Sequence, residues 1–432
     1  MLFPLEVFYR GDIRELAQLV GLNQWINETD VYKRVAMIKY KRLYVMHCKI
    51  FNEYRDCVYK YTNNNSKYFI KFPILAVMRG SVARFYEGGD VKQVAFPFAK
   101  FFNWKENSIS SKIPSTKWVI TEKLDGSLVV VWRDPDTGEL RANTRGTLDS
   151  PIIEAFWDSV KRMELREHLE GLVKENTTWM FEFVNPEYPA SMVFRNIVEI
   201  IKEQPHKFTP YLLAYRDHST MEIEYNVDTD FPRPRFYNIN TVDDIMHRVK
   251  EMTDKEGLVV HFPGHLYDTR FKWWNYILKI KSKSYVIKAY IGLGENDPGF
   301  RRTAYRKIAL AIVNNHYEDL IPILQGTEYG DFIQKYLETY SKLVDTWIVF
   351  REKIEAKARE HGINWIKEYL SKSLNAATEA SALDYDAVKS IKWIVRNKLI
   401  HKDSPRALVR ALERYRNRLE KLIEKLEKID KK

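Results

Sequence analysis

The pattern of hydrophobic and polar residues changes near residue 295. Before this point, short β-branched and aromatic runs alternate with turn residues, a pattern typical of β-strands. After it, apolar residues recur at helical spacing and strand-like runs disappear. The pattern therefore predicts an α+β domain with mostly antiparallel strands over residues 1–294, followed by an all-α domain over residues 295–432.

Eight apolar runs in the first part of the chain are predicted to form strands. The stretch DPDTG separates two of these runs and predicts a hairpin turn. The predicted strands are KYFIKFPILAVM (67–78), WVITEKL (118–124), LVVVWRD (128–134), LRANTRG (140–146), TTWMFEFV (177–184), YLLAYRD (211–217), GLVVHF (257–262) and YILKIKSKSYVI (276–287).

Helix-start signals mark two clear helices. Ser150 can cap a helix that begins at Pro151, and the last helix begins at Ser404 and Pro405. The apolar residues of the last helix alternate at steps of four and three, so they form a seam that needs a partner. The partner is either another helix of the same domain or a second copy of the chain, and a repeat of only about three heptads favours the first. The seam consists of Leu408, Leu412, Tyr415, Leu419, Leu422, Leu426 and Ile429.

The charge of the chain favours polyanionic partners. The formal net charge is +11, and between Arg301 and Lys432 there are 27 Lys and Arg residues against 19 Asp and Glu, a net of +8. The sequence contains neither a run of about 18 apolar residues nor a cationic leader with a cleavage site. We therefore expect a cytoplasmic protein without a membrane segment. Few glutamines beside many Lys, Glu and Tyr point to thermostability.

The cysteines and histidines offer no evident metal site. Cys48 and Cys57 have neither zinc-ligand spacing nor enough partners for a disulfide framework, so we expect free core thiols in a reducing compartment. His261 and His265 flank the sequence FPG and are expected to lie in a turn. The pattern GxxxxGK[ST] does not occur, which argues against a P-loop nucleotide site.

The stretch TEKLDGSLVVVW places Lys123 at the start of a predicted buried strand. A lysine amine is a nucleophile only when unprotonated, and burial or nearby cations lower its pKa from about 10.4. Asp125 can hold the turn through its side chain, and Gly126 lets the backbone approach a ligand closely. Taken alone, KLDG is more often a surface turn that carries a solvated lysine.

Three further motifs follow in a fixed order. Glu182 lies in TWMFEFVNPEYP, Glu256 and Gly257 lie in KEGLVVHF, and Lys279 and Lys281 lie in LKIKSKSY. The two-residue period of a strand places both lysines on one face of the sheet. Acids in apolar strands are costly to bury unless they bind something. With the lysine motif, this order resembles the covalent nucleotidyltransferase superfamily of ATP-dependent ligases and capping enzymes.

An upstream segment carries a narrower resemblance. Residues 77–107, VMRGSVARFYEGGDVKQVAFPFAKFFNWKEN, join an Arg-Gly strand to Lys-Phe-Phe-Asn. This segment is similar to the one that precedes the lysine motif in bacteriophage RNA ligases of the tRNA-repair type, the RNA ligase 1 family. The resemblance covers roughly residues 30–290. The helical region agrees with that family in type but carries no matching motif.

The resemblance implies an ATP-dependent RNA ligase that joins 5′-phosphate and 3′-hydroxyl RNA ends. Lys123 would attack the α-phosphate of ATP, expel pyrophosphate and carry AMP. AMP would then pass to the RNA 5′-phosphate, and the 3′-hydroxyl would displace it. Lys279 and Lys281 would face the phosphates. Glu182 and Glu256 would be the acids of a Mg²⁺ site, and Glu182 would also contact the ribose.

The remaining nucleotide-site residues also follow from the resemblance. Arg79 and Lys100 match cations that contact phosphates, and Phe102 matches an aromatic that supports the pocket, although core packing explains it equally well. Arg145 stands where the resemblance leads us to expect lysine, and the two cations bind phosphate with different geometry. The other implied nucleotide-site residues are Glu122, Asp125, Gly126 and Gly257.

Two alternatives stay open. A DNA ligase or mRNA capping enzyme usually continues into a strand-rich domain after the Lys-x-Lys motif, whereas this chain becomes helical. A non-catalytic RNA-binding protein with a ligase-like fold would be favoured by a broken motif, and all four motifs are intact. For the ligase, we expect a monomer whose helical domain holds the RNA, with tRNA among the candidate substrates.

Overall fold

In the computed structural model, the chain divides into two compact units, Met1–Ala289 and Tyr290–Lys432. Every described strand lies in the first unit, and the described part of the second unit is helical. The structure describes residues 4–10, 44–51, 53–61, 69, 73–106, 110, 117–185, 197–252, 255–266, 275–291, 300–313, 317, 319–361 and 404–427.

Three sheets form the framework of the first unit. The first sheet consists of β1 (Tyr44–Ile50), β2 (Tyr54–Tyr61), β3 (Arg79–Tyr86) and β4 (Val91–Ala95). The second consists of β7 (Ser127–Arg133), β8 (Leu140–Thr144), β9 (Thr177–Val184), β10 (Thr209–Asp217) and β11 (Ile223–Glu224). The third consists of β5 (Phe102–Asn103), β6 (Val119–Glu122), β12 (Phe236–Tyr237), β13 (Gly257–Leu266) and β14 (Asn275–Lys281).

The strands of the three sheets follow the orders β1-β2-β3-β4, β11-β10-β9-β7-β8 and β12-β6-β13-β14-β5. All neighbouring strands are antiparallel except the parallel pair β14 and β5. The prediction of a mixed α and β unit with antiparallel sheets is confirmed.

Helices connect and flank these sheets. None of the helices within the described ranges is long and apolar enough to cross a membrane. Those of the first unit are α1 (Pro4–Arg10), α2 (Pro151–Arg162), α3 (Arg166–Leu172), α4 (Ile197–Glu203), α5 (Val242–Glu251) and α6 (Lys283–Ile291). Those of the second are α7 (Phe300–Val313), α8 (Leu320–Leu324), α9 (Glu328–His361) and α10 (Pro405–Glu427).

The predicted caps and turns lie where the sequence indicated. The Ser150 hydroxyl accepts a hydrogen bond from the backbone N–H of Ile152 at 3.2 Å, and α2 begins at Pro151. Ser404 accepts from the backbone N–H of Ala407 at the start of α10. The DPDTG stretch joins β7 and β8 as a hairpin. Local capping and turn chemistry therefore determines these boundaries.

The second sheet is buried on both faces, which explains the uninterrupted apolar run of β7. Val129 and Val131 pack in one cluster of buried residues, whereas Leu128, Val130 and Trp132 pack in another. A strand buried on both sides lacks the polar alternation of a half-exposed strand. The loop that enters β7 is consequently anchored to a rigid strand.

The apolar seam of α10 packs against α9 of the same unit. Leu408, Leu412, Tyr415, Leu419 and Leu422 are all buried. This arrangement agrees with a partner helix in the same domain, the first of the two predicted alternatives. The side chain of Leu426 and all of Ile429 lie outside the described residues.

Three predictions about local structure are wrong. Pro73–Val77, inside the predicted strand 67–78, forms a 3-10 helix, since Pro73 lacks the N–H that a strand donates to its neighbour. The strand predicted over 276–287 ends at Lys281, because the Ser282 hydroxyl accepts a hydrogen bond from the backbone N–H of Tyr285 and caps α6. His261 lies within β13 rather than in a turn, and its Nε2 atom is 3.1 Å from the Thr121 hydroxyl.

The cysteines also differ from expectation, because Cys48 and Cys57 form a disulfide. They lie directly opposite each other in the antiparallel pair β1 and β2, with their Cα atoms 4.0 Å apart. The prediction of free thiols is therefore wrong. The pairing depends on hairpin register, which the spacing of two cysteines does not reveal.

Candidate functional site

Lys123 lies on the short connection that leads from β6 in the third sheet to β7 in the second. Its backbone N–H donates to the carbonyl of Gly257 at 2.9 Å. At the other end of the connection, the N–H of Gly126 donates to Oε1 of Glu182 at 3.2 Å. The lysine is thus held between two sheets by backbone contacts to both.

Two lysines flank one buried carboxylate. Lys123 Nζ lies 2.6 Å from Oε2 of Glu256, and Lys281 Nζ lies 2.6 Å from Oε1 of the same side chain. Burial alone would raise the pKa of Glu256, but the two ammonium groups outweigh burial and hold the pKa below its usual value. The Lys123 side chain remains 20% exposed. Two lysines on one carboxylate leave a net positive charge where the Lys123 side chain reaches solvent, and a positive charge there suits an anionic ligand.

Two glycines allow this close arrangement. A Cβ on Gly126 would lie 2.4 Å from the carbonyl oxygen of Phe183. Gly257 has a φ of +145°, and a Cβ there would lie 2.1 Å from the carbonyl oxygen of Ile280. Side chains at these positions would push apart the strands that carry Glu182 and Lys281.

Two further carboxylates lie within electrostatic reach of Glu256. Burial raises the pKa of Glu182 to about 7, against the opposing effect of Lys123 and Arg79. Burial, followed by the charge of Glu256, raises the pKa of Asp125 to about 6. The charges of Glu256 and Asp125 also disfavour the ionised form of Glu182, and the charge of Glu256 disfavours that of Asp125.

This repulsion fits a site for a divalent cation completed by substrate. Within the described ranges, no group of three His, Cys, Asp or Glu side chains converges as a metal-ligand set. Mg²⁺ usually takes one or two carboxylates together with substrate phosphates, so a full protein ligand set is not required. Glu182 is the better-placed carboxylate, since Glu256 is already engaged by two lysines.

One of the predicted phosphate-binding cations, Arg79, lies close to Glu182, and a second, Arg145, lies close to Arg79. The charge of Glu182 acts on Arg79, whose guanidinium hydrogen-bonds the Tyr61 side chain and lies 5.0 Å from the centre of the Phe101 ring. Burial lowers the pKa of Arg79, and its Nη1 atom has no hydrogen-bond partner among the described residues. Arg145, exposed in the turn after β8, lies close enough for its charge to act on Arg79.

Three other predicted residues have different immediate surroundings. Lys100 is 3% exposed, with Nζ 3.6 Å from Oε1 of Glu106. Phe102 belongs to the core and packs edge-on against the Phe69 ring, in line with the packing alternative. The carboxylate of Glu122 forms an ion pair with Lys255 at 2.5 Å.

Lys279 and Lys281 both belong to β14, two residues apart. A separation of two residues places them on the same face of the strand, and both are partly buried. The ion pair to Glu256 is made by Lys281. Lys281 is thus the member of the Lys-x-Lys motif that shares a carboxylate with Lys123.

Two tyrosines near the site were missed by sequence reasoning. Tyr285 hydrogen-bonds the Asp125 side chain, and its ring centre lies 5.4 Å from Lys281 Nζ. Tyr61 hydrogen-bonds Arg79. Tyr285 follows the Lys-x-Lys motif closely, but only the start of a helix at Lys283 brings its ring to the site.

Replacing Glu182 by glutamine is expected to stabilise the ligand-free protein at pH 8 and leave it nearly unchanged at pH 4. The folded protein keeps a proton on Glu182 up to a pKa of about 7, whereas the unfolded chain releases it near the ordinary value of 4.5. The free energy of unfolding therefore falls as pH rises through this window, by on the order of 3 kcal/mol, and glutamine removes that loss. Urea unfolding in EDTA at both pH values measures the difference.

The matched control for this measurement is Glu222→Gln, an exposed acid just before β11 of the same sheet. It should change stability little at either pH. A Glu182→Gln protein that gains no stability at pH 8 would contradict the electrostatic description of the site.

Part of the chain that carries this site matches a known protein family. Residues 79–285, just under half of the chain, match the sequence model of a family described as RNA ligase. No curated protein matches the chain. The matched segment contains Arg79, Lys123, Glu182, Glu256 and Lys281.

Similar solved structures include RNA ligases. A mutant RNA ligase of Naegleria gruberi is 16% identical with a TM-score of 0.30, and the match covers 45% of this chain and 59% of that one. An archaeal ATP-dependent RNA ligase is 14% identical with a TM-score of 0.37, and the match covers 90% of this chain and 83% of that one.

Proposed function

We propose that this protein is an ATP-dependent RNA ligase that works through a lysyl-AMP intermediate on Lys123. The observation that carries the proposal is the pair of lysines, Lys123 and Lys281, held on one buried carboxylate between two sheets. The family match over residues 79–285 supports RNA ligation. The bacteriophage tRNA-repair type, a monomeric state and tRNA as a substrate are finer parts of the same proposal.

In the first step, Lys123 Nζ forms a bond to the α-phosphorus of ATP while the bond to the β-phosphate oxygen breaks and pyrophosphate leaves. The amine loses its proton in the course of this step. The pKa of Glu256 is held low, so this carboxylate is a poor acceptor for the proton. Its role is instead to orient the amine. The proton can pass to water, since Lys123 is 20% exposed.

Lys281 offsets negative charge on the phosphates during this displacement. Its ammonium is fixed by Glu256 before substrate binds, so little reorganisation is required. Glu182 would hold Mg²⁺ together with the substrate phosphates, and Glu256 would be the second acid of this site. The metal would supply charge neutralisation and orientation of the leaving pyrophosphate. Asp125 and the Gly126 N–H keep the turn that carries Lys123 in place.

The same pocket can serve the two later steps. The RNA 5′-phosphate attacks the lysyl-AMP phosphorus, which frees Lys123 and produces a 5′-5′ pyrophosphate. The 3′-hydroxyl of the second end then attacks the RNA 5′-phosphorus and AMP leaves. Each step is an in-line displacement at phosphorus, so a single set of cations stabilises all three.

Incubation of the pure protein with α-labelled ATP and magnesium tests the proposal. We expect label that remains on the protein after denaturation and leaves it when RNA with a 5′-phosphate is added. Matched RNA and DNA ends then separate an RNA ligase from a DNA ligase, and guanylate transfer to a 5′-diphosphate end identifies a capping enzyme. A protein that binds RNA without acquiring label is the non-catalytic alternative.

We further propose that residues 1–294 form the adenylation domain and that residues 295–432 hold the RNA. The support is a row of basic residues on α10 opposite its buried seam. Arg406, Arg410 and Arg414 are exposed and, within the described part of the chain, form no ion pair with an acid. They repeat every four residues, about 6 Å along the helix axis, and like charges at this spacing destabilise an isolated helix. An RNA backbone would offset this repulsion.

Changing Arg406, Arg410 and Arg414 together to glutamine should weaken RNA binding and leave self-adenylation intact. Each lost phosphate contact on a single strand makes the slope of log affinity against log salt shallower by about 0.7, so we expect a change of about 2. Salt titrations of RNA binding measure it. Lys342→Gln on α9, an exposed lysine paired with Glu338, is the control. An unchanged slope in the triple variant would show that these arginines of α10 do not contact the RNA phosphates.

A further inference from the structure

Lys60 is a cation beside the site that the proposed function does not use. It lies on β2 directly opposite Arg79 of β3, so the two positively charged side chains share one face of the first sheet. Lys60 is partly buried, so water screens its charge only incompletely from neighbouring cations.

A third cation completes the cluster. The Lys60 side chain passes over Gly146, where a Cβ would lie 2.7 Å from Lys60 Cδ. Gly80 has a φ of +89°, and a Cβ there would lie 3.3 Å from the Cα of Arg145. These two glycines bring the turn after β8 against β2 and β3. Arg145 therefore stands close to both Lys60 and Arg79.

The cluster holds more positive charge than its protein surroundings balance. Burial lowers the pKa of Lys60 and the charge of Arg145 lowers it further, while no carboxylate of the described chain opposes these effects. Within the same ranges, no acid forms an ion pair with Lys60. The buried Nη1 atom of Arg79 lacks a hydrogen-bond acceptor there as well. An anion with several oxygen atoms would supply a counter-charge for Lys60 and an acceptor for the Nη1 atom of Arg79.

We propose that Lys60, Arg79 and Arg145 form one phosphate-binding site next to Glu182, with Lys60 as a binding residue outside the four sequence motifs. The ligand is a phosphate group that offers two or more non-bridging oxygens. It comes either from the β- and γ-phosphates of ATP or from the 5′-phosphate of the RNA. This inference rests on the proposed function for the identity of these two sources.

The test compares Lys60→Met with Lys60→Arg, which keeps the charge, and with Lys92→Met. Lys92 is an exposed lysine on β4 of the same sheet. One arm measures the affinity for pyrophosphate, and the other measures the affinity for a short RNA with a 5′-phosphate against the same RNA with a 5′-hydroxyl. These are equilibrium measurements, so they remain informative even if the protein never acquires label from ATP.

We expect Lys60→Met to lose about 10-fold or more of its affinity in one arm, the scale of one lost charge-assisted contact. Loss for pyrophosphate assigns the site to ATP, and loss of the preference for 5′-phosphate assigns it to RNA. Lys60→Arg should retain most of the affinity, and Lys92→Met should match the original protein. Unchanged binding in both arms, or an equal loss in Lys92→Met, overturns the proposal.

Thermal unfolding separates binding from a structural role. Removing Lys60 relieves repulsion, so the melting temperature of Lys60→Met should stay equal or rise. Gly146→Ala provides a second variant, because its methyl group would displace the Lys60 side chain while every charge remains. Reduced phosphate affinity in Gly146→Ala supports the site. Lower melting temperature with unchanged phosphate affinity in both variants shows that Lys60 only stabilises the fold.

Discussion

Replacing Lys123 by alanine should abolish covalent labelling of the protein by ATP. The amine is the only group that the proposed mechanism uses to form the phosphoramidate, and Glu256 keeps Lys281 as a partner after the change, so the fold should persist. Label on the denatured protein and circular dichroism of the native protein measure the two expectations. Sealing of RNA that already carries AMP on its 5′-phosphate should continue, since that step needs the pocket and not the nucleophile.

Lys123→Arg separates the nucleophile from the ion pair. Arginine preserves a positive charge next to Glu256, yet a guanidinium stays protonated and cannot attack phosphorus. We expect no label on this variant either. Lys117→Ala, an exposed lysine shortly before β6, should be labelled like the original protein. If Lys123→Ala still acquired label, another residue would be the nucleophile.

Replacing Arg84 by methionine should destabilise the first unit by about 3–5 kcal/mol, the usual cost of removing one partner from a buried ion pair. The Arg84 guanidinium is fully buried and donates at 2.8–2.9 Å to both carboxylate oxygens of Asp56 and of Asp134. These contacts join β2 and β3 of the first sheet to the hairpin of the second. Without Arg84, the buried Asp56 carboxylate would lose its cation, and buried Asp134 would retain only the more distant, partly exposed Arg141, whose Nε lies 3.3 Å from Oδ2.

The loss of stability in Arg84→Met should be larger at pH 8 than at pH 4. Burial favours the neutral form of Asp134, but Arg84 outweighs burial and holds the pKa of Asp134 below its usual value. The ion pair of Asp134 with Arg84 therefore contributes stability above the ordinary carboxyl pKa of about 4, and this contribution is lost as the pH falls below that value. In the variant, protonation of the orphaned acids at low pH relieves part of the penalty.

Hydrogen exchange of the β3 amides measures this effect in the first unit alone, which matters because the chain has two units. Arg55→Met, an exposed arginine on β2, is the control and should change little. Adding Asp56→Leu to Arg84→Met should recover part of the loss, because it removes one unpaired charge. If the free energy of unfolding of Arg84→Met were within about 1 kcal/mol of that of the original protein, the network would add little net stability.

Part of the candidate site could be predicted from sequence, because its residues occur at the ends of recognisable strands. Lys123 precedes an apolar run, Glu182 interrupts another, and Lys281 occupies alternate positions with Lys279. Period-two alternation and residue chemistry are local properties of the chain. The contact that brings Lys123 and Lys281 onto Glu256 is not local, since it requires β13 to pair with both β6 and β14.

The sequence by itself determined the two-part division into strands and helices, the capped starts of α2 and α10, the hairpin after β7 and the chemical character of Lys123. Each depends on propensity, turn chemistry or periodicity within a few residues. Only the tertiary structure decided which charges meet. Strand register paired Cys48 with Cys57 and set Lys60 opposite Arg79, and packing enclosed Lys100 and Phe102. Register and packing arise from contacts between distant segments, and a one-residue shift in register would reverse the face of every side chain involved.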